Sequence, residues 1–396
     1  MTVFSKLALR CFTNKPYLLG SKHCVIGELM TSVPPKFDVL LTQLLSEVGD
    51  FCVSTKTHGI NLGCNFRVVG PVGPDFELFV KEFKRITPAT AEAACLTLKQ
   101  TSDAAGAQPV LYASVVSDRT AEIAIKHGVS WMDFAGNCRL VFPRYGIMVR
   151  CSGIDNPFGK QLPNVLNVFS SKSSRVVRAM LQDPLRGWQL KELASCPDVQ
   201  ISPGLMSRIK RTLVEGGYAL MREGQLCLKH PDYLLDDWVK LYRTHKPREF
   251  SFYMRGDLEQ VELQVANWCS KYNSQHALSR FSAAWRLAPE VRYNVTSFMV
   301  STSAILAEPL LDLTTQYSAR KVDSGANLVL QISDDASYYS NRFGDTLQTT
   351  SPLQTYLDLR AMEGRGEDAA MAIYEKYLKQ KFTEAIEQAM EKHEGN

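Results

Sequence analysis

Residues 202–217, SPGLMSRIKRTLVEGG, hold Ser207, Lys210 and Arg211 three and four positions apart, the spacing of neighbours on one helix face. Wound at 100° per residue, the stretch gathers Leu205, Met206, Ile209 and Leu213 on one side. Pro203, Ser207, Lys210, Arg211 and Val214 fall opposite, with Arg208 nearer the apolar side. A short hydroxyl followed by long cations suits a DNA major groove: Ser207 lets the helix approach base edges, and Arg211 and Lys210 reach guanine or phosphate. A solvated surface helix has the same composition, so the surroundings must decide. Between 170 and 230 there are ten Lys or Arg against five Asp or Glu, a local +5, whereas the whole chain carries +4. The positive charge is therefore concentrated around this one helix. Lys172, Arg175 and Arg178 upstream, and Arg222 downstream, are the accompanying candidates for phosphate contacts.

The elements that would position these residues can be read on either side. SSKSSRVVRAMLQDP predicts a helix with Val176, Val177, Met180 and Leu181 inward, stopped at Pro184, and WQLKELASC predicts a second, shorter one. Ser202 is a good N-cap for the third helix, Pro203 sits where its missing N–H costs nothing, and Gly216-Gly217 ends it. YALMREGQLCLKH then alternates as a hairpin turned at Glu223-Gly224. Three helices followed by a hairpin is the order of a winged helix-turn-helix, here over 169–230.

The flanking blocks are of mixed character. Within the first block, residues 1–150, the stretch 36–150 alternates helix-like and strand-like segments: FDVLLTQLLSEVGDF, a hairpin in NFRVVGPVGPDFELFVKEF, a helix in TAEAACLTLKQTSDAAG, a strand in PVLYASVV, a helix in RTAEIAIKHG, and a hairpin in VSWMDFAGNCRLVF. This order favours an α/β domain. Trp131, Asp133 and Asn137 could line a site, although a packed hairpin with Gly136 and Asn137 at positive backbone angles explains them more simply. Residues 151–168 are rich in Gly, Pro and Asn and read as a linker. In 231–396, EFSFYMR, NVTSFMVS, GANLVLQIS and SYYSNRF are strand candidates, and helices are expected at 257–272, 277–287, 352–362 and 366–393. A mixed α/β C-terminal domain follows, and the fold class is mixed α/β throughout.

Several function classes are excluded or disfavoured. No run of about eighteen apolar residues is long enough to span a membrane, and the start lacks a secretory core, so a cytoplasmic location is expected. The ten cysteines are scattered without a Cys-x-x-Cys pair, so reduced thiols are expected rather than disulfides or a metal site. No phosphate-binding G-x-x-x-x-G-K, no G-x-S-x-G and no H-E-x-x-H is present, and no cofactor is expected.

PVLYASVVSDRTAEIAIKHGVSWMDFAGNCRL, NVFSSKSSRVVRAMLQDPLRGWQLKELA, SPGLMSRIKRTLVEGGYAL, FSAAWRLAP, GANLVLQ, SPLQTYLDL and GRGEDAA occur in this order over roughly residues 76–380. Together they resemble the AbiEi-type antitoxins, winged-helix regulators of type IV toxin–antitoxin systems. The helix-turn-helix part is generic; GVSWMDFAGN with SPLQTYLDL is more distinctive. The resemblance implies a transcriptional repressor binding double-stranded DNA, often at its own promoter, whose C-terminal region opposes a nucleotidyltransferase toxin without a stable complex. It also implies a restriction-endonuclease-like fold for residues 1–150, through Glu82-Phe83-Lys84 as the Glu-x-Lys half of a PD-(D/E)xK site. Such chemistry needs two carboxylates on a metal and a lysine on the attacking water or phosphate. The preceding strand offers Asn65 where the partner acid is expected, and Asp75 lies at the hairpin turn, so a domain that has lost catalysis is the favoured reading.

The reading is a DNA-binding regulator, not an enzyme, with Ser207 and Arg211 at base edges, Lys210, Arg208, Lys172, Arg175, Arg178 and Arg222 on phosphates, and Ser202 at the helix start. A homodimer is expected because paired half-sites multiply specificity. The rival is a metal-dependent nuclease using Glu82, Lys84 and Asp75, guided by the winged helix. A third reading is a replication or maintenance protein of a mobile element.

Overall fold

In FELFVKEF, Leu78 and Val80 point to one apolar layer and Phe79 to another, and all three are buried. A strand buried on both faces needs helices above and below it, and the first unit supplies them. The computed structural model describes residues 8–9, 35–47, 49–59, 63–71, 74–159, 166–242, 248–339, 342–344, 347–362 and 364–391. It divides into two units, Met1–Val165 with Glu215–Gly217, and Leu166–Val214 with Tyr218–Asn396.

The first unit contains β1 (Ala8–Leu9), α1 (Phe37–Ser46), β2 (Cys52–Gly59), β3 (Gly63–Val69), β4 (Phe76–Phe83), α2 (Pro88–Ala104), β5 (Gln108–Ala113), α3 (Asp118–Lys126), β6 (Ser130–Asp133), β7 (Cys138–Phe142) and β8 (Ile147–Cys151). Its sheet runs β1-β8-β7-β6-β5-β4-β3-β2. The pairs β4–β5 and β5–β6 are parallel, connected through α2 and α3, and the other pairs are antiparallel. Leu40, Leu41, Leu44 and Leu45 of α1 pack with Leu78, Val80, Val110 and Tyr112 on one face. Ala91, Cys95 and Leu98 of α2 and Ala124 of α3 pack with Phe79, Leu111 and Ala113 on the other.

The WMDFAGN stretch is a structural knot. Asp133, 3% exposed, accepts from the backbone N–H of Ala135 (3.0 Å) and Asn137 (2.9 Å) through Oδ1. Its Oδ2 accepts from Nδ2 of Asn137 and Nδ2 of Asn156, both at 2.9 Å. Asn137 also bonds Ile154 in both directions, which pins the segment after β8 to the sheet. Gly136 takes a positive φ of 95°, as a tight turn requires, but Asn137 does not; its side chain bonds Asp133 instead. Burial pushes the Asp133 carboxyl above its usual range, against the pull of these donors.

The second unit holds α4 (Ser171–Gln182), α5 (Leu190–Ser195), α6 (Pro203–Glu215), the hairpin β9 (Ala219–Arg222) and β10 (Gln225–Leu228), and α7 (Pro231–Tyr242). Then come β11 (Arg248–Tyr253), α8 (Leu258–Lys271), β12 (His276–Leu278), α9 (Arg280–Leu287), β13 (Thr296–Val300), α10 (Ala307–Thr315), β14 (Arg320–Lys321) and β15 (Leu328–Ile332). The chain closes with α11 (Pro352–Arg360), α12 (Gly366–Ile373), a π-helical turn at Tyr374–Leu378, and α13 (Lys379–Glu391). A sheet ordered β12-β13-β15-β11-β14, with β13 and β15 parallel, packs against α8 and α10. A second core runs without interruption from Val168 through Val176, Ile209, Leu226 and Trp238 to Leu357, Ile373 and Phe382. The helices around the hairpin and the C-terminal helices thus share one interior.

Local departures from the sequence reading lie in this unit. The described residues of SYYSNRF form no strand: Ala336–Tyr338 is a 3₁₀ turn and Phe343 makes an isolated bridge to Thr349. The expected helix at 277–287 begins as β12, and Arg280 starts the helix only after it. The expected helix at 366–393 is broken by the π turn. Among the described residues no helix is long and apolar enough to cross a membrane.

Candidate nucleic-acid interface

Ser202 accepts a hydrogen bond from the Leu205 N–H (3.3 Å), which caps α6 beside Pro203. Met206, Ile209 and Leu213 are 1%, 0% and 0% exposed and anchor the helix in the core. The opposite surface carries exposed Ser202, Pro203, Gly204, Ser207, Arg208 and Arg211, with Lys210 half-buried. Arg208, expected nearer the core side, is on the open face. The side chains of Ser207, Arg208, Lys210 and Arg211 make no hydrogen bond or ion pair with another described residue. Arg208 and Arg211 are i, i+3 neighbours of like charge, an arrangement that mildly destabilises a helix. Fold stability therefore gives no reason for this row.

The hairpin beside it is turned by Glu223 (φ 49°) and Gly224 (φ 79°), the two positive angles of a tight two-residue turn. Its register pairs Arg222 with Gln225. Arg222 is half-buried, and its Nη2 donates to the Gln388 carbonyl at 3.4 Å.

On α4 the expected cations separate. Lys172 is exposed. Arg175 is committed within the protein, pairing through Nε with Asp335 (3.0 Å) and donating weakly to the Val199 carbonyl (3.4 Å). Arg178 is a correction to the sequence reading: it is 2% exposed and cannot reach a phosphate on the surface. Its Nε donates to Ser337 Oγ (3.2 Å), its Nη1 donates to Gln354 Oε1, and its guanidinium lies 5.0 Å from the Trp238 ring and 4.7 Å from the Tyr338 ring. The reason is that C-terminal residues, more than 150 positions later in the chain, cover a second face of α4.

That covering surface explains SPLQTYLDL. Gln354 Nε2 donates to Tyr242 Oη (2.8 Å) and to Asp358 Oδ1 (2.7 Å), and Tyr242 Oη donates to the same Asp358 oxygen (2.7 Å). Burial pushes the Asp358 carboxyl above its usual range and the Tyr242 hydroxyl well above its own. Nearby, GRGEDAA brings α12 against α11 through Gly366, where an added Cβ would lie 2.5 Å from the Leu359 carbonyl oxygen. Sequence reasoning missed this network; its signal was the run of polar residues, Gln354, Thr355 and Asp358, inside an otherwise apolar helix.

The nuclease candidates of the first unit are not brought together. Asp75 precedes β4 and pairs with Arg67 at 2.7 Å. Glu82 lies near the other end of that strand, in register with Tyr112, and Lys84 follows beyond it; both are exposed. Seven residues of extended chain separate Asp75 from Glu82, about 23 Å at roughly 3.3 Å per residue, so they cannot share a metal. Asn65, on β3 opposite Phe79, is an amide whose Oδ1 is buried without a hydrogen-bond partner among the described residues. No group of three or more His, Cys, Asp or Glu among the described residues could hold a metal ion.

Residues 227–379 match the family model of the AbiEi antitoxin, a transcriptional regulator of type IV toxin–antitoxin systems. The match begins in β10 and runs through α7 into the start of α13, so it takes in the SPLQTYLDL network and the close α11–α12 contact. The match covers less than half of the chain, and α4, α5, α6 and nearly all of the first unit lie outside it. The chain matches no curated protein and no solved structure.

Proposed function

We propose that this protein is a sequence-specific double-stranded-DNA-binding transcriptional regulator of the antitoxin type, in which α4, α5, α6 and the β9–β10 hairpin act as a winged helix-turn-helix. The observation that carries the reading is the unpartnered row on α6. In it, Ser207 and Arg211 face base edges, and Arg208 and Lys210, with Lys172 from α4, take phosphates. Arg175, Arg178 and Arg222 hold the DNA-binding helices and hairpin to the C-terminal region instead of touching DNA. That region opposes a nucleotidyltransferase toxin, and the DNA target is the protein's own promoter, consistent with the regulatory family of residues 227–379. The first unit serves as a nuclease-like scaffold without catalysis, given the wide separation of Asp75 and Glu82.

The test is fluorescence anisotropy on DNA from upstream of the gene against scrambled DNA of equal length, with a magnesium lane on a gel. Preferential, salt-sensitive binding without cleavage is the expected result. Equal weak binding to both DNAs contradicts the reading, and cleavage would transfer it to the nuclease.

A further inference from the structure

The register of β7 and β8 sets Cys138 directly opposite Cys151, where the β7–β8 ladder ends. Along both strands the residues alternate between faces, and the two cysteines share theirs with Leu140, Phe142, Ile147 and Val149 in one apolar core. Both are thiols, 0% and 1% exposed. No other two described cysteines face each other in a strand pair.

Opposed residues of an antiparallel ladder have Cα atoms about 4.5 or 5.5 Å apart, and a disulfide spans roughly 4.4 to 6.8 Å. The backbone therefore already brings the two residues to bonding distance. Their Cβ atoms, roughly 4.5 to 5.5 Å apart in a ladder, must come to roughly 3.5 to 4.5 Å in the bond. The end of the ladder is where such a closure of about 1 Å disturbs least, because Ser152 beyond Cys151 has no partner on β7. A bond that needs this adjustment is more easily reduced than a relaxed one, which makes it reversible.

The residues that flank the pair also fasten the segment that follows it. Ile154 and Phe158 pack against the same core as the two cysteines. Asn137 bonds Ile154 in both directions, Asn156 Nδ2 donates to the Ser114 carbonyl (2.8 Å) and to Asp133 (2.9 Å), and Asn156 Oδ1 accepts from the Phe158 N–H (2.9 Å).

We propose that Cys138 and Cys151 are a redox modification site, a resting dithiol closed to a disulfide by a small organic disulfide such as glutathione disulfide, which enters when segment 152–158 lifts. One cysteine thiolate attacks a glutathione sulfur, and the S–S bond breaks to release a glutathione thiolate. The second cysteine thiolate attacks the mixed disulfide and releases the other glutathione. The two cysteine protons end on the two glutathiones, and two electrons pass from the protein to the oxidant. The closed ring adds a covalent link beside the Asn137–Ile154 hydrogen bonds.

The test equilibrates the reduced full chain in glutathione buffers of rising oxidised fraction, quenches with acid, and alkylates with N-ethylmaleimide after denaturation. Trypsin cuts after Arg139, Arg144 and Arg150, so the two cysteines fall on separate peptides for mass spectrometry. The expected product is one peptide pair joined through Cys138 and Cys151, lighter by two hydrogens than its separate halves and lost again in dithiothreitol. Asn156→Ala, which unfastens Phe158 and leaves both thiols, should form the same pair several-fold faster, with circular dichroism confirming the fold. Wild type still alkylated at both cysteines in the most oxidising buffer, or joined there to other cysteines or to glutathione, would overturn the site. Formation at the wild-type rate in folded Asn156→Ala would overturn the entry route alone.

Discussion

Replacing Asp133 by alanine leaves four donors without their acceptor. They are not equivalent. Asn137 Nδ2 keeps the Ile154 carbonyl (3.0 Å) and Asn156 Nδ2 keeps the Ser114 carbonyl (2.8 Å), whereas the N–H groups of Ala135 and Asn137 lose the acceptor that closes the turn. An unmade buried hydrogen bond costs about 1–3 kcal/mol, so two give roughly 2–6. Relief of the buried charge, whose carboxyl is already pushed upward, brings the net to about 3 kcal/mol. For a unit of this size that corresponds to a fall of roughly 10 °C in melting midpoint. Asp133→Asn keeps an oxygen for the two backbone donors and should fall in between. Differential scanning calorimetry, following the transition of the first unit, reads both variants. A midpoint for Asp133→Ala within about 2 °C of wild type would refute the reasoning.

Gly366→Ala should destabilise the second unit by about 1–3 kcal/mol, because its Cβ meets the Leu359 carbonyl oxygen at 2.5 Å and α12 must back away; urea denaturation followed by circular dichroism checks this, and an unchanged midpoint counts against it. The Asp358 carboxyl is raised above 3.8, first by burial, so the folded state keeps that proton to higher pH than the unfolded chain. Its contribution is then fully present below the unfolded value and is lost as pH rises through the folded one. Asp358→Asn removes this titration, and its stability relative to wild type should increase across that window, with a flat or falling difference as the contrary result. Arg211→Ala should cost about 1–3 kcal/mol of DNA affinity at one base position and relax specificity there, measured by competition with single-base operator variants. An equal loss on every sequence would reassign Arg211 to the backbone.

The local signals read from the sequence were those whose cause is local. Ser202, Pro203 and Gly216-Gly217 bound α6, the apolar spacing of Met206, Ile209 and Leu213 orients it, and Glu223-Gly224 turns the hairpin. Arg178 was misread because its fate depends on Ser337 and Gln354, more than 150 residues away, and a cation on a helix carries no mark of which side will be covered. The break at the π turn and the parallel pairing of β13 with β15 are likewise set by tertiary packing. Asp75 was drawn into a site by residue type alone, and the length of β4 separates it from Glu82.

The central claim is that the open face of α6 meets DNA phosphates and bases. The most direct measurement compares wild type with Arg208→Ala/Lys210→Ala/Arg211→Ala on upstream DNA over a salt series, with circular dichroism confirming the fold. Each lost phosphate contact lowers the slope of log affinity against log salt by about 0.9, so the triple variant, which removes the phosphate contacts of Arg208 and Lys210 and the base contact of Arg211, should bind far more weakly with a slope shallower by roughly 2. Unchanged affinity and slope in a folded variant would contradict the account.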